Sequence, residues 1–125
     1  MSIEKEKNFV SAVVYVRNNA RTLQAFLDHV YSEMDRLFNE FELICVNDAS
    51  KDASEEIIRE FAKEKDHAVT LINMGYAQGT ELGMNAGEDI AIGDFVYEFD
   101  LAAQTWPSDM IEKLYRKMQE GYDII

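Results

Sequence analysis

The feature that most limits the fold is a short, largely apolar run that stops at two polar residues. Phe41–Val46 has the character of a buried strand, and Asn47 and Asp48 end it abruptly. Small and polar residues follow, and a helical pattern begins at Ser54. In an open α/β sheet, ligands bind just beyond the carboxyl ends of the strands. The pattern therefore predicts that Asn47 and Asp48 lie in a binding crevice.

Strand and helix patterns alternate along the whole chain. Strands are predicted at Phe9–Val16, Phe41–Val46, Val69–Met74, Phe95–Phe99 and Tyr122–Ile125. Helices are predicted after a Thr22 cap with an apolar stripe from Leu23 to Phe38, from Ser54, over Thr80–Ile90 and from Pro107. This order indicates parallel strands joined by right-handed crossovers. We therefore expect one α/β domain over residues 1–125 with a doubly wound, mainly parallel sheet, and the chain ends as if it continued further.

Composition restricts the classes of partner. Twelve basic and 24 acidic residues give a net charge of −12, which argues against nucleic acid because phosphate binding needs basic patches. The one cysteine, Cys45, lies in an apolar run and is predicted to be a small buried hydrophobe. The sequence shows neither a signal peptide nor an apolar segment long enough for a membrane span. These features predict a cytoplasmic protein.

Glycines recur at every fourth position before and within the third predicted helix. Gly83 and Gly87 share one helix face, where the missing Cβ lets the helix pack close to the sheet. Gly79 permits a tight turn before the helix. For Gly75 and Gly79, a turn and a close approach of the backbone to a ligand both stay open.

Four motifs, in order, resemble those of family 2 glycosyltransferases of the GT-A type, related to dolichyl-phosphate mannosyltransferase. Val10–Asn19 resembles the family's opening strand, with Tyr15 in place of the usual proline. Val46–Asp52 resembles its Val-Asp-Asp-Gly-Ser-x-Asp motif. Gly79–Gly87 and Gly93–Val96 match its Gly…Asn-Ala-Gly…Gly-Asp-Tyr-Val pattern. The resemblance covers nearly the whole chain, but only the amino-terminal, nucleotide-sugar-binding half of such enzymes.

The resemblance implies a three-layer, Rossmann-like α/β/α fold that binds a nucleoside-diphosphate sugar for transfer to a lipid or polysaccharide acceptor. The residues that it implies for donor binding are Asn18, Asn47, Asp48, Asp52, Gly79 and Asp100. Asp48 is the stronger candidate for contact with the base and ribose. Asp52 fits equally well as a cap or turn residue before the following helix.

The family's metal-binding motif, Asp-x-Asp, is incomplete in this chain. The resemblance implies a magnesium or manganese ion with Asp100 as a ligand, but Ala102 stands where the second aspartate is expected and offers no ligand oxygen. Glu98 faces the same side of the strand as Asp100, set back by about 7 Å at about 3.3 Å per residue. Asp100 fits either a sugar or ribose contact or plain capping of the strand.

Two functional hypotheses follow. The first is a glycosyltransferase-like domain that binds a sugar nucleotide, and no catalytic residue is assigned because the family's catalytic carboxylate belongs to a later half. The second is a non-catalytic binding or assembly module on the same fold, suggested by Ala102 and the missing acceptor half.

Three further residues are candidates for a functional site. His29 and His67 have no partner at a spacing that suits a catalytic triad or a zinc site. Trp106 fits either a cover for a sugar face or an anchor for the following helix. The sequence leaves the oligomeric state open, including a homo-oligomer.

Overall fold

The structure, a computed structural model, describes residues 6–93 and 95–100. Strands and helices alternate in the order β1 (Glu6–Val16), α1 (Ala20–Leu37), β2 (Phe38–Asp48), α2 (Ser54–Lys63), β3 (Ala68–Met74), α3 (Thr80–Ile90) and β4 (Phe95–Asp100). The predicted elements in this part of the chain are therefore confirmed. The predicted helix from Pro107 and the strand Tyr122–Ile125 lie outside the described residues.

The four strands form one parallel sheet in the order β3-β2-β1-β4. The chain moves outward from β1 to β3 and then returns to the other side of β1 to form β4. This reversal confirms the predicted doubly wound α/β fold. Because all four strands run the same way, their carboxyl ends share one edge, called the carboxyl edge below, and their amino ends share the opposite amino edge.

Two predicted boundaries near α1 are wrong. The helix begins at Ala20, so Thr22 lies inside its first turn, and the backbone N–H groups of Thr22 and Leu23 donate to the carbonyl of Asn19. Phe38 does not continue the apolar face of the helix but opens β2 directly, where it is fully buried. The helical spacing of apolar residues predicts that Phe38 belongs to the helix, because a buried residue at the junction fits the apolar pattern of the helix as well as that of the strand.

The two faces of the sheet are covered by different helices. On one face, α1 and α2 pack over the larger core, which includes Val14, Leu27 and Cys45. Cys45 is 0% exposed, and burial raises the pKa of its thiol to about 12, so the prediction of a small buried hydrophobe is confirmed. On the other face, α3 packs over a smaller cluster around Val13 and Val46.

The glycines of α3 allow it to lie close to the sheet. A Cβ on Gly83 would stand 2.7 Å from the ring of Tyr15, and one on Gly87 would press into Val13 and lie 3.2 Å from Val46. The contacts with Tyr15 and Val13 are closer than real Cβ atoms approach, so a side chain at either glycine would require the helix or the neighbouring side chains to shift. The packing interpretation of Gly83 and Gly87 is confirmed.

A buried carboxylate anchors the end of α3 at the amino edge. Glu42 of β2 is 7% exposed and accepts the Ser11 hydroxyl at 2.6 Å and the backbone N–H of Ile92 at 2.9 Å. The Ser11 hydroxyl oxygen in turn accepts the N–H of Gly93 at 2.9 Å. A Cβ on Gly93 would lie 2.6 Å from the Ser11 backbone nitrogen, so the chain closes tightly here. We call this group the Glu42 anchor.

Candidate functional site

Two loops at the carboxyl edge, after β1 and after β2, are joined by hydrogen bonds between them. The Asn18 N–H donates to Ser50 Oγ at 2.9 Å, and the Lys51 N–H donates to Asn18 Oδ1 at 2.7 Å. The Asn19 N–H donates to Ser54 Oγ at 3.2 Å. These bonds fix the two loops relative to each other. The surface that they border at the carboxyl edge, together with residues 75–79 between β3 and α3, is called the mouth below.

Both loops contain a residue in the left-handed region of backbone space. Asn18 has φ 54° and Ala49 has φ 55°. Asparagine tolerates this conformation, whereas alanine adopts it at a cost of about 1–2 kcal/mol. Local strain of this kind is concentrated at functional sites. The candidate residue Asn18 therefore shapes the mouth through its backbone as well as through its side chain.

Asp52 joins the starts of two helices. Its Oδ2 accepts the Ala20 N–H at 3.0 Å, and its Oδ1 accepts the Ser54 N–H at 3.0 Å. Burial opposes ionisation of this carboxyl, but the hydrogen bonds from Ser54 and Ala20 outweigh it and lower the pKa of Asp52. In the structure, Asp52 therefore makes the contacts of a helix cap, which is one of its two predicted roles. Contact of Asp52 with a ligand stays a prediction.

Asp48 lies at the end of β2 beneath the mouth and is 0% exposed. Its Oδ2 accepts the Tyr15 hydroxyl at 2.6 Å and the Gly79 N–H at 2.8 Å, and its Oδ1 accepts the Gln78 N–H at 2.8 Å. Burial opposes its ionisation, yet these three hydrogen bonds and the charge of Arg17 lower the pKa of Asp48 overall. The carboxylate is therefore an ionised anchor for the turn that precedes α3.

Asn47 and Asp48 point to opposite faces of the sheet, as alternation along a strand requires. Asn47 is 3% exposed, and its Nδ2 donates to Asn73 Oδ1 at 2.9 Å. Its own Oδ1 is buried and has no hydrogen-bond partner among the described residues. The two neighbours predicted to share a crevice are thus separated by the sheet layer, and a ligand role for Asn47 stays a prediction.

Gly79 occupies a backbone conformation that favours glycine, with φ 94° and ψ 164°. Its carbonyl accepts the Gly83 N–H at 3.0 Å, which begins α3. A Cβ on Gly79 or Gly75 would meet nothing within 4 Å. The predicted turn at Gly79 is confirmed, and the space beside both glycines leaves their approach to a ligand open.

Asp100 ends β4 at the same edge as Asp48. The β1 residue Tyr15 pairs with Val46 of β2 on one side and with Asp100 on the other. Asp48 and Asp100 therefore end the two strands that flank β1, as the crevice requires. Glu98 is exposed and pairs with Val13, further back in the sheet.

The described residues hold no preformed cluster of metal-ligating side chains. No group of three or more His, Cys, Asp or Glu side chains converges among residues 6–93 and 95–100. The Asp48 carboxylate is already engaged by three donors. Metal ligation by Asp100 stays a prediction, and Ala102 and Trp106 lie outside the described residues.

The histidines are remote from the carboxyl edge or engaged elsewhere. His67 stacks on Phe41 with ring centroids 4.2 Å apart, and its Nε2 lies 3.5 Å from Asp35 Oδ1, near the amino edge. His29 lies on α1 and is partly buried. Neither arrangement forms a triad within the part of the chain that the structure describes.

Sequence reasoning missed the contribution of Tyr15. The apolar pattern places Tyr15 in a buried strand but does not indicate a hydrogen-bond partner for its hydroxyl. The sequence nevertheless contains a signal, since Tyr15 stands where the family that the chain resembles has proline. A buried tyrosine hydroxyl needs a hydrogen-bond partner. That partner, Asp48, is 33 residues away in the sequence.

Comparison with known families and proteins gives consistent results. The model of the family "Glycosyl transferase family 2" matches residues 11–125. The undecaprenyl-phosphate 4-deoxy-4-formamido-L-arabinose transferase of Proteus mirabilis is 33% identical over all 125 residues. The enzyme of the same name from Edwardsiella ictaluri is 30% identical over 125 residues. The chain spans 38% of the length of each of these relatives.

Solved structures share the fold. A mannosyltransferase from Pyrobaculum calidifontis, in complex with GDP-Man and Mn²⁺, superposes with a TM-score of 0.74 and 26% identity, over 85% of this chain and 31% of that one. Glucosyl-3-phosphoglycerate synthase from Mycobacterium tuberculosis, in complex with Mn²⁺, UDP and glucosyl-3-phosphoglycerate, superposes with a TM-score of 0.70 and 16% identity, over 89% of this chain and 39% of that one. The second likeness concerns the fold alone.

None of the helices among the described residues combines the length and the apolarity that crossing a membrane requires. The cytoplasmic location stays a prediction.

Proposed function

The chain belongs to glycosyl transferase family 2, and on this premise we propose that its carboxyl edge binds the nucleoside diphosphate of a sugar donor. The observation that carries the proposal is that the strands ending at Asp48 and Asp100 and the turn before α3 share one edge of a doubly wound sheet. Ligands of such sheets bind at this position. The similar mannosyltransferase of Pyrobaculum calidifontis is in complex with GDP-Man.

The direction of the helices supports an anionic ligand. Each helix follows a strand that ends at the carboxyl edge, so α1, α2 and α3 all begin there. The start of a helix carries partial positive charge and unpaired backbone N–H groups, which favour phosphate. This preference is local and comes from the backbone N–H groups: the net charge is −12, and Glu55, Glu56 and Glu81 lie in the first turns of α2 and α3, where their charge offsets part of it.

The acceptor is proposed from the relatives. Two of them are named undecaprenyl-phosphate transferases, so we propose a lipid phosphate as the acceptor class, with a polysaccharide as the other class that the family resemblance implies. In such a transfer, an acceptor oxygen forms the new bond to the anomeric carbon, the bond from that carbon to the donor phosphate breaks, and the nucleoside diphosphate leaves. The residue that takes the acceptor proton is not assigned.

The proposal includes a divalent cation at the donor phosphates, where such an ion takes only one or two protein carboxylates. The similar mannosyltransferase of Pyrobaculum calidifontis is in complex with Mn²⁺. Ala102 removes the second carboxylate of the family motif. Asp100 is the one carboxylate proposed to ligate such an ion.

Calorimetric titration of the protein with UDP- and GDP-sugars, with and without manganese, tests the proposal. Saturable binding of at least one donor is expected, and it should weaken in Asp100→Asn. The matched control is Asp35→Asn, which removes the same charge near the amino edge and should leave donor binding unchanged. Absence of binding for every donor would refute the assignment of the site.

The alternative is a non-catalytic module on the same fold, and Ala102 is the observation in its favour. The relatives described above are named as transferases, so the comparisons do not favour it. The alternative predicts a donor that stays intact on prolonged incubation. Sugar release that disappears in Asp100→Ala would contradict it.

A further inference from the structure

We propose that Tyr15 is a positioning residue of the donor site, whose hydroxyl holds Asp48 in the orientation that ties loop 75–79 to the sheet. Loop 75–79 is the segment between β3 and α3, and it borders the carboxyl edge. The inference rests on the proposed function, since it concerns the same site. It assigns a role to a side chain for which the resembling family has proline.

The ring of Tyr15 has little freedom to move. Tyr15 is 6% exposed and lies between the sheet and α3. A Cβ on Gly83 would stand 2.7 Å from two of its ring carbons, so the ring fills the space that this glycine leaves. A ring confined in this way keeps its hydroxyl at a fixed point, 2.6 Å from Asp48 Oδ2.

The same carboxylate binds the hydroxyl and the turn before α3. Besides Tyr15, Asp48 accepts the backbone N–H groups of Gln78 and Gly79, each at 2.8 Å. Hydrogen bonds from a hydroxyl to a carboxylate at this distance are among the strongest in proteins. Removing the hydroxyl would leave the orientation of the Asp48 side chain to the turn alone, and the turn would lose its fixed support.

Loop 75–79 lies where a donor would touch the protein. Gly75, Tyr76 and Ala77 are exposed at the mouth, with Tyr76 exposed by 73%. The first backbone N–H groups of α3 face the same edge. A shift of this loop would therefore move the surface that meets the ligand, and small misplacements of positioning groups carry large functional costs.

The protonation states suit this arrangement. Burial, followed by the hydrogen bond to Asp48 and its charge, raises the pKa of Tyr15 to about 12, so the phenol remains a donor at neutral pH. The pKa of Asp48 is lowered, because its hydrogen bonds outweigh the effect of burial. Among the described residues, Tyr15 and Arg17 are the titratable or charged groups that act on Asp48, and the turn contributes only backbone N–H groups.

The test compares two tyrosines that each lose only a hydroxyl. Tyr15→Phe keeps the ring that packs under α3, and the matched control Tyr31→Phe removes a hydroxyl that accepts the His67 N–H near the amino edge. Affinity for UDP and GDP is measured by calorimetry across a pH series, together with the melting temperature of each variant. We expect Tyr15→Phe to weaken nucleotide binding about tenfold at neutral pH.

The pH series separates positioning from general destabilisation. In Tyr15→Phe, the loss of nucleotide binding on acidification should move to higher pH, because Asp48 loses a hydrogen bond that favours its charged form. Tyr31→Phe should lower the melting temperature without changing affinity or its pH profile. Unchanged affinity and an unchanged profile in Tyr15→Phe would overturn the inference while leaving the proposed function intact. A parent protein that binds no nucleotide would overturn both.

A double-mutant cycle tests whether Tyr15 acts on the site through Asp48. Asp48→Asn keeps the side-chain volume and removes the charge. If Tyr15 acts through Asp48, the effects of Asp48→Asn and Tyr15→Phe on nucleotide affinity will be less than additive. Additive effects would show that Tyr15 acts on the site by another route and would overturn the inference.

Discussion

At both edges of the sheet, a buried carboxylate that accepts a hydroxyl and backbone N–H groups fixes one end of α3. The two edges differ in what surrounds these groups. At each edge a buried carboxylate of β2 accepts a hydroxyl of β1 at 2.6 Å: Glu42 accepts Ser11 at the amino edge, and Asp48 accepts Tyr15 at the carboxyl edge. Each carboxylate also accepts a backbone N–H next to one end of α3. The crossover is thus fixed to the sheet at both ends.

The surroundings of the two carboxylates are opposite in character. At the amino edge, Gly93 lies so close to Ser11 that a Cβ would stand 2.6 Å from its backbone nitrogen. At the carboxyl edge, Gly75 and Gly79 border open space. Within the described part of the chain, the three residues with positive φ, Asn18, Ala49 and Gly79, also lie at the carboxyl edge. The same kind of contact therefore occurs in a closed, tightly packed junction at the amino edge and beside an open surface at the carboxyl edge.

The largest expected effect comes from removing each carboxylate. Asp48→Ala should lower the free energy of unfolding by about 3–4 kcal/mol, because three buried or partly buried donors lose their acceptor. Glu42→Ala should cost about 2–3 kcal/mol, since two donors are affected. Chemical denaturation measures both values.

Milder variants of the same pair test whether the edges differ in function. Asp48→Asn should weaken nucleotide binding, whereas Glu42→Gln should leave it within about twofold. Equal losses of nucleotide affinity in the two variants would break the distinction between a functional and a structural edge. Melting temperatures of both proteins serve as the control for folding.

Adding one methyl group at a glycine gives the next largest effect. Gly93→Ala should destabilise the protein by about 2–3 kcal/mol, because the new Cβ meets backbone atoms that cannot move aside. Gly75→Ala should change stability by about 0.5 kcal/mol at most, since its Cβ meets nothing within 4 Å. Similar costs at the two positions, measured by denaturation, would contradict the contrast between a closed and an open edge.

Acid should weaken the carboxyl edge. The pKa values of Asp48 and Asp52 are both lowered from 3.8, so their contribution to stability is present above that value and is lost as the pH falls through the folded-state pKa. Denaturation midpoints should therefore fall below about pH 4. Asp48→Asn should show a shallower decline over the same range, and an identical decline would exclude Asp48 as a source of the pH dependence.

The smallest effect should be a gain in stability. Ala49 has φ 55°, a conformation that glycine adopts without strain, so Ala49→Gly should stabilise the protein by about 0.5–1 kcal/mol. The control is Ala53→Gly, where φ is −82° and glycine brings no relief. A loss of stability in Ala49→Gly similar to that in the control would show that the loop carries no strain at this position.

The order of elements was predictable because hydrophobic periodicity is a local property. Phe41–Val46 and the apolar strand at the start of the chain present apolar side chains on both faces. Such strands are typical of a parallel sheet that has helices on each side. The glycine spacing of α3 predicted its close packing, since Gly83 and Gly87 share one helix face. The motif order indicated the family, which the match over residues 11–125 confirms.

Local pattern was weaker at boundaries and side-chain partners. Phe38 satisfied the helical period, yet the tertiary structure uses it as the first residue of β2. Asp52 could have faced a ligand or capped a helix, and only the placement of α1 beside α2 showed that it accepts N–H groups from both. The polar pair Asn47 and Asp48 reads as one feature in the sequence, whereas alternation along β2 places the two side chains on opposite faces of the sheet.

A parallel α/β sheet with polar strand ends can be derived from the sequence, because hydrophobic periodicity and the alternation of strands and helices are local properties. The partners of Asp48, which are Tyr15 and the turn at Gly79, lie 33 and 31 residues away and become evident only in the folded structure. Hydrogen bonds of this kind depend on how closely α3 lies on the sheet, and no local pattern contains that distance.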